Sequence, residues 1–308
     1  MSAVKDAPVL VVMAAGMGSR FGGLKQIEDV DGRGHALIDY AVYDAALAGF
    51  EEVVFIIRSE IAEEFKKTVG DRIAAKLPVK YVYQSLDMIP EGSEVPEGRV
   101  KPWGTTHAIW CCRDVLKGRS FLTVNADDFY GREAFIDAAE FLKSDGPDNE
   151  YGIIGYNVIG TLNEKFTVSR GICSVDENSY LKRIDERKEI KFEAGRGYFT
   201  LDGGVTYTLI PADSVASMNL WAFRPAFMED LVVNYESRLR AGIKNDPLKF
   251  EETLSDAVQN IIERRACTVK VINTAAKWIG MTYREDIPQV REALDELTAR
   301  GVYPEGRW

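Results

Sequence analysis

Apolar and polar positions along the chain fall into two regimes. In the first, short apolar runs alternate with amphipathic stretches. The run opening at Val9 (V-L-V-V-M-A-A) is uninterrupted, too brief to span a bilayer and bounded by Gly, which predicts a parallel strand buried on both faces. From Ala36 to Gly49 apolar residues recur at helical spacing and stop at Gly, as in a C-capped helix. Val53 to Ile57 reads as a second buried strand. Ser59 then opens a charged amphipathic helix to about Ala75, with Ser as N-cap and acids in the first turn. Val79 to Tyr83 predicts a third strand, ending at Gln84, and Phe121 to Asn125 a fourth. Alternating strands and helices imply right-handed crossovers and an α/β, doubly wound, mostly parallel sheet with ligands at the carboxyl ends of its strands.

From Gly152 the pattern changes to consecutive strands: Ile153 to Ile159, Gly171 to Val175, Tyr180 to Asp185, a hairpin from Glu189 to Thr200, Gly204 to Ile210, and Val215 to Phe223. Amphipathic helices follow from Phe227 to Ala241 and Phe250 to Arg264, then a strand from Thr268 to Asn273 and a closing helix from Arg284 to Arg300. No linker intervenes, so 1–308 is expected to be one domain. Its alternating half would be 1–150, followed by a β-rich region 151–225 and a helical region 226–308.

Candidate chemistry gathers at the predicted strand ends. After the first strand, Gly16, Gly18, Gly22 and Gly23 free the backbone to turn, and Arg20 and Lys25 add two cations. That combination suits a polyphosphate. A P-loop would need Ser or Thr after its Lys, and Gln26 stands there; a dinucleotide fingerprint would need a third Gly where Phe21 stands. After the third strand, 85–102 is a long polar loop with Pro90, Pro96 and Pro102, of the kind that forms lids or binding loops. It runs into Trp103-Gly-Thr-Thr-His-Ala-Ile109, a helix start with Thr105 or Thr106 as the cap. The fourth strand delivers Asp127 and Asp128, two acids whose desolvation and mutual repulsion call for a cation. Mg²⁺ suits them, since it takes few carboxylates and keeps sites for phosphate oxygens.

The A-A-G-x-G-S-R loop followed closely by Lys resembles the signature of the nucleotidyltransferases that join a nucleoside triphosphate to a phosphorylated sugar or alcohol and release pyrophosphate. The resemblance is strong from Val9 to Gly131 and weaker beyond. It implies a GT-A-like Rossmannoid fold in which Ala14, Ala15, Gly16, Gly18 and Ser19 wrap the triphosphate while Arg20 and Lys25 stabilise charge at the α-phosphate. Gln84 with Gly104 and Thr105 would read the nucleobase, and Asp127 would hold Mg²⁺ while Asp128 braces the loop. Gly171 and Glu186 match the family's acceptor positions, with Arg187 where the family has Lys, so the grip on the acceptor phosphate would differ. Asn219 matches a sugar-contacting Asn, and a buried amide needs a partner. In Trp278-Ile-Gly-Met-Thr282 the family's second metal-binding position falls on Gly280, with Asp286 the nearest acid. The activity implied is transfer of a nucleotidyl group to a sugar 1-phosphate, giving an NDP-sugar. Transfer of a cytidylyl group to phosphocholine or another alcohol phosphate, a GT-A glycosyltransferase and a non-catalytic nucleotide-sugar sensor stay open.

Composition narrows the partners. A net charge of −10 argues against nucleic acid or an anionic membrane as main partner, and the resemblance implies a nucleoside triphosphate and a phosphorylated small molecule instead. Cys111, Cys112, Cys173 and Cys267 fit neither a zinc site nor a disulfide framework and read as reduced, mostly buried thiols. With no leader-like apolar stretch at the start, the cytoplasm is the default expectation, and a homo-oligomer stays open. Only His35 and His107 are present, so a histidine-centred mechanism has little material, and His107 reads as a structural residue at a helix start.

Overall fold

The computed structural model describes residues 7–16, 21–281 and 283–306. Four strands, β1 (Val9–Met13), β2 (Glu52–Ile57), β3 (Val79–Tyr83) and β4 (Phe121–Asn125), form a parallel core in the order β3-β2-β1-β4. Their side chains alternate between two hydrophobic clusters. Leu10, Val12, Val53, Phe55, Ile57, Leu122 and Val124 enter one. Val9, Val11, Val54, Ile56 and Phe121 enter the other. Both faces of β1, β2 and β4 are thus dry, which is why they read as continuous apolar runs, whereas β3 at the sheet's edge exposes Lys80 and Tyr83.

Helices cover each face. Leu37–Ala48 and Arg132–Lys143 pack on the first, with Val42, Ala45, Phe135 and Leu142 buried there. Thr105–Cys111, Ala226–Asn245 and Leu254–Glu263 pack on the second through Ile109, Phe227, Leu231, Leu239, Val258 and Ile261. Each large apolar side chain fully buried this way contributes about 1.5–3 kcal/mol. The doubly wound arrangement expected of the first half is the one found. Gly49 ends Leu37–Ala48 at φ 92°, the left-handed cap that glycine adopts without penalty.

The β-rich region extends the same sheet. After β5 (Asp128–Phe129) come β6 (Glu150–Asn157), β7 (Val168–Val175), β8 (Leu181–Glu193), β9 (Arg196–Phe199), β10 (Thr208–Leu209), β11 (Val215–Phe223), β12 (Thr268–Asn273) and β13 (Ile279–Gly280). β11 runs antiparallel to β4 and to β7, and β8, β9 and β10 continue from β7 in antiparallel steps. β6 pairs with β11 and, in parallel, with β12. The C-terminal helix Ile287–Ala299 packs Val290 and Leu294 against Leu37 and Tyr40 in a third cluster.

Several expectations need correction. Ser59 caps nothing with its side chain, and the expected helix is a broken run: a 3₁₀ turn at Ser59–Ile61, α-turns at Ala62–Phe65 and Asp71–Ala74, and a π-turn at Lys66–Gly70. The backbone of Gly70 gives the Tyr81 hydroxyl room, since a Cβ there would lie 2.0 Å from it. The hairpin expected from Glu189 to Thr200 forms, turning at Ala194 and Gly195, both at positive φ, but the strand expected before it is not separate: Leu181–Glu193 is one strand, β8, that leads through this turn into β9. Of the strand expected from Gly204 to Ile210 only Thr208–Leu209 forms, because Asp202 draws the N–H groups of Val205 and Thr206 into a side-chain-bonded turn.

Candidate active site

The carboxyl ends of β1 to β4 converge on one edge. Past β1, Ala14 and Ala15 are buried and Gly16 is exposed. The Ala14 N–H is already used by the Ile56 carbonyl at 2.8 Å. A Cβ on Gly16 would meet no atom of the described residues within 4 Å. Gly18, Ser19 and Arg20 lie outside the described residues. The chain returns through Lys25–Ile27, a short 3₁₀ turn whose buried Gln26 donates from Nε2 to the carbonyls of Ala14, at 3.2 Å, and Gly16, at 2.5 Å. Gln26 therefore clamps both ends of the glycine loop, a role its sequence position did not suggest.

Lys25 reaches across to β4's loop. Its Nζ lies 2.6 Å from Asp127 Oδ2, the side chains being 11% and 39% exposed. Asp128 behaves differently. It pairs in the sheet with Gly280, and its Oδ2 accepts from Asn125 Nδ2 at 2.8 Å and from the Tyr130 hydroxyl at 3.4 Å. Burial, with the Asp127 carboxylate beside it, pushes Asp128 up to about 7. Asn125 Oδ1 accepts in turn from Asn219 Nδ2 at 2.9 Å, and Asn219 Oδ1 accepts from Trp221 Nε1 at 3.1 Å. Asn219 stands at φ 62° in a bulge of β11, where Ser217 and Trp221 change register against β6. Its amide is thus largely engaged within the protein, tying β11 to the acidic loop.

Gly280 cannot accept a side chain as the structure stands. A Cβ there would lie 2.2 Å from the Trp278 ring. Among the described residues no group of three or more His, Cys, Asp or Glu is placed to hold a metal. Asp286, the other acid considered, accepts from the Tyr283 N–H at 2.8 Å and lines a cleft of about 500 Å³ with Arg170, Lys277 and Trp278.

Past β3, Gln84 lines a second cavity of about 220 Å³ together with Ala15, Arg58, Ser85, Trp103 and His107. Gln84 Nε2 donates to the Gly104 carbonyl at 3.2 Å and to His107 Nδ1 at 3.1 Å. Gly104 is required for a reason internal to the chain: its φ is 102°, and a Cβ would lie 2.2 Å from the Glu252 carbonyl oxygen. The expected threonine caps are not found, since Gly104 itself is the N-cap of Thr105–Cys111. Thr105 Oγ1 accepts from the Leu254 N–H at 2.9 Å and Thr106 Oγ1 donates to the Thr253 carbonyl at 2.7 Å, which docks the start of the next helix. Thr105 accordingly faces 252–254. The long loop is pinned by Trp103 Nε1 to the Leu86 carbonyl and by Arg99, which bonds the Pro102 and Phe250 carbonyls and lies 3.4 Å over the Trp103 ring.

In the β-rich region Gly171 stands directly opposite Glu186, and Arg170 opposite Arg187. Neighbours on a strand point to opposite faces, so Glu186 and Arg187 do not share one side as a joint clamp would need. A Cβ at Gly171 would lie 2.6 Å from Ile184. Burial raises the Glu186 pKa. Arg187 lies 4.6 Å over the Phe199 ring and 3.7 Å from Asp185. Arg58 and Arg170 were not singled out from sequence; Arg58 follows β2 as directly as Gln84 follows β3, which was its available signal.

An α/β sheet with a glycine loop, a cation and an acid at one carboxyl edge defines a nucleotide-handling enzyme class. The nucleotidyl transferase family model matches residues 9–280, and the chain belongs to that family. No curated protein matches the sequence. Among solved structures, the fold is similar to a Bacillus anthracis protein assigned as a glucose-1-phosphate thymidylyltransferase, solved with sucrose, at TM-score 0.64 and 12% identity over 93% of this chain and 95% of that one. It is similar to the inositol-1-phosphate CTP transferase of T. maritima at 0.61 and 13%, over 96% and 98%. A UDP-glucose pyrophosphorylase bound to UDP-glucose matches at 0.57 and 17%, over 94% and 99%. No helix among the described residues is long and apolar enough to cross a membrane.

Proposed function

We propose that this nucleotidyltransferase transfers a nucleotidyl group from a nucleoside triphosphate to a sugar 1-phosphate, releasing pyrophosphate and forming an NDP-sugar, with Mg²⁺ as cofactor. The observation that carries this reading is the 2.6 Å contact between the loop cation Lys25 and the strand-end acid Asp127, at the edge where Gln84 lines a cavity. Two of the similar structures are named for 1-phosphate acceptors.

A phosphate oxygen of the acceptor forms a bond to the α-phosphorus, and the bond from that phosphorus to the bridging oxygen of the β-phosphate breaks, so pyrophosphate leaves with its electron pair. The acceptor phosphate is already an anion at neutral pH, so no general base is needed. What the protein supplies is alignment and charge. Gln84 and the cavity around it orient the base, and Lys25, with Arg20, stabilises the charge that grows on the α-phosphate. Asp127 is part-exposed and offers the carboxylate that would hold Mg²⁺. When bound, the metal neutralises phosphate charge. Glu186, beside Gly171, is the side chain of the β-rich region proposed to meet the sugar.

The test is pyrophosphate release from each of the four common triphosphates with a panel of sugar 1-phosphates and alcohol phosphates. Release that depends on both a triphosphate and one acceptor class supports the reading. No release with any pair overturns it.

A further inference from the structure

We propose that His107 is a positioning residue that locks the Gln84 side chain with its carbonyl oxygen toward the base cavity, so that the cavity discriminates amino from oxo nucleobases. The proposal rests on the nucleotide reading of that cavity and adds what selects the base.

His107 is fully buried, and its Nε2 lies 2.5 Å from the Met88 carbonyl oxygen. A carbonyl only accepts, so Nε2 must carry the proton. Burial drives the imidazole down to about 4, so the ring is neutral at physiological pH and Nδ1 is left as an acceptor. Gln84 lies 3.1 Å from that Nδ1 and 3.2 Å from the Gly104 carbonyl. Both neighbours accept, so only the NH₂ end of Gln84 can face them. Turning the amide over would set its oxygen against two lone pairs. The Met88 carbonyl, through His107, therefore fixes which way the Gln84 amide faces. No group among the described residues donates to Gln84 Oε1, and Gln84 lines the cavity.

A fixed acceptor demands an N–H from the base at the point it meets. Cytosine and uracil exchange donor and acceptor at two adjacent ring-edge positions, and adenine and hypoxanthine do the same. A locked acceptor therefore accepts one member of each pair and leaves the other with two acceptors face to face. A freely turning Gln would serve both.

Two measurements test this. In wild-type protein labelled at histidine with ¹⁵N, His107 should show a protonated Nε2 and a bare Nδ1 at neutral pH. The opposite tautomer, or an imidazolium, would overturn the lock whatever the enzyme's substrates prove to be. In kinetics, kcat/KM for CTP against UTP, and for ATP against ITP, should differ by about tenfold or more in wild type, the value of roughly one hydrogen bond lost and one acceptor left unpaired. His107→Phe, which fills the space but offers no acceptor, should narrow both ratios to about threefold or less, with the change falling on KM. Unchanged ratios in a folded His107→Phe protein would overturn the proposal. Should that variant not fold, the wild-type tautomer and ratios decide: wild-type ratios under about threefold overturn it. An absence of turnover with every triphosphate would count against the catalytic reading, while the tautomer still decides the lock.

Discussion

Lys25→Ala should move catalysis and metal binding in opposite directions. The ammonium sits 2.6 Å from Asp127 Oδ2, on the carboxylate proposed to hold Mg²⁺, so without nucleotide Lys25 and the metal compete for the same oxygen. A bare Coulomb term near a protein surface is about 4 kcal/mol at 4 Å. The Asp127 side chain is 39% exposed, and solvent screening together with the entropy of holding the Lys in place reduces the net value to about 1 kcal/mol. Removing the competitor should therefore tighten Mg²⁺ binding about fivefold, read by calorimetry in the absence of nucleotide. The same substitution removes a preorganised cation from the α-phosphate, which should lower kcat about a hundredfold, or roughly 3 kcal/mol of barrier. Pyrophosphate release under saturating substrates supplies that number. Mg²⁺ binding that weakens or stays unchanged would refute the competition, and an unchanged kcat would refute the catalytic role of Lys25.

Asp127→Asn should cut turnover by orders of magnitude at ordinary Mg²⁺ with an unchanged melting temperature, since a neutral amide is a poor ligand for a hard cation; near-normal activity would remove the metal assignment. Gln84→Ala should raise the triphosphate KM more than it lowers kcat, and a fall in kcat at constant KM would place Gln84 in the chemistry instead. Gly280→Asp should destabilise the fold by about 1–3 kcal/mol in urea titration, because its Cβ would lie 2.2 Å from the Trp278 ring, and Trp278→Ala on the same chain should recover part of the loss. His107 makes stability depend on pH. Its folded value of about 4 lies below the ordinary 6.5, so between those limits the unfolded chain binds the extra proton, and stability is lost as pH falls through that window. The total is about 3 kcal/mol, so the stability gap between wild type and His107→Phe should shrink by that amount from pH 7 to pH 4.

What could be read in the sequence was local periodicity, and where local preference and tertiary packing agree the reading held. The run from Val9 buries both faces because Leu10 and Val12 enter one core while Val9 and Val11 enter the other, and Gly49 ends its helix with the backbone only glycine adopts easily. Ser59 and Thr105 are good caps by composition, yet neither caps its own helix. Thr105 instead receives the N–H of Leu254, 149 positions away, a partner that no local window contains. The same blindness hid Gln26, His107 and Arg170. His107 looked like a residue of a helix start, and its meaning comes from Gln84, 23 positions earlier, and from a carbonyl of the long loop between them. Glu186 and Arg187 were matched to the family's acceptor positions; the sequence did not show that Glu186 would stand opposite Gly171 and Arg187 opposite Arg170 across β7 and β8.

The acidic loop shows why one carboxylate can suffice on the proposed reading. Asp128 commits its Oδ2 to a relay from Trp221 through Asn219 and Asn125 that ties β11 to β4. Gly280 cannot be a second ligand, with the Trp278 ring in the place of its side chain. A divalent cation offered one half-exposed carboxylate, already neutralised by Lys25, gains little by binding alone. A triphosphate changes that balance. It brings several anionic oxygens to the metal and gives the Lys25 ammonium an alternative partner, so metal and nucleotide should each raise the other's affinity, as reciprocal linkage requires. Lys25 would then be free to meet the α-phosphate when its charge is needed. On the proposed reading the 2.6 Å pair would be the resting form of the site, each charge held by the other until substrate replaces both contacts.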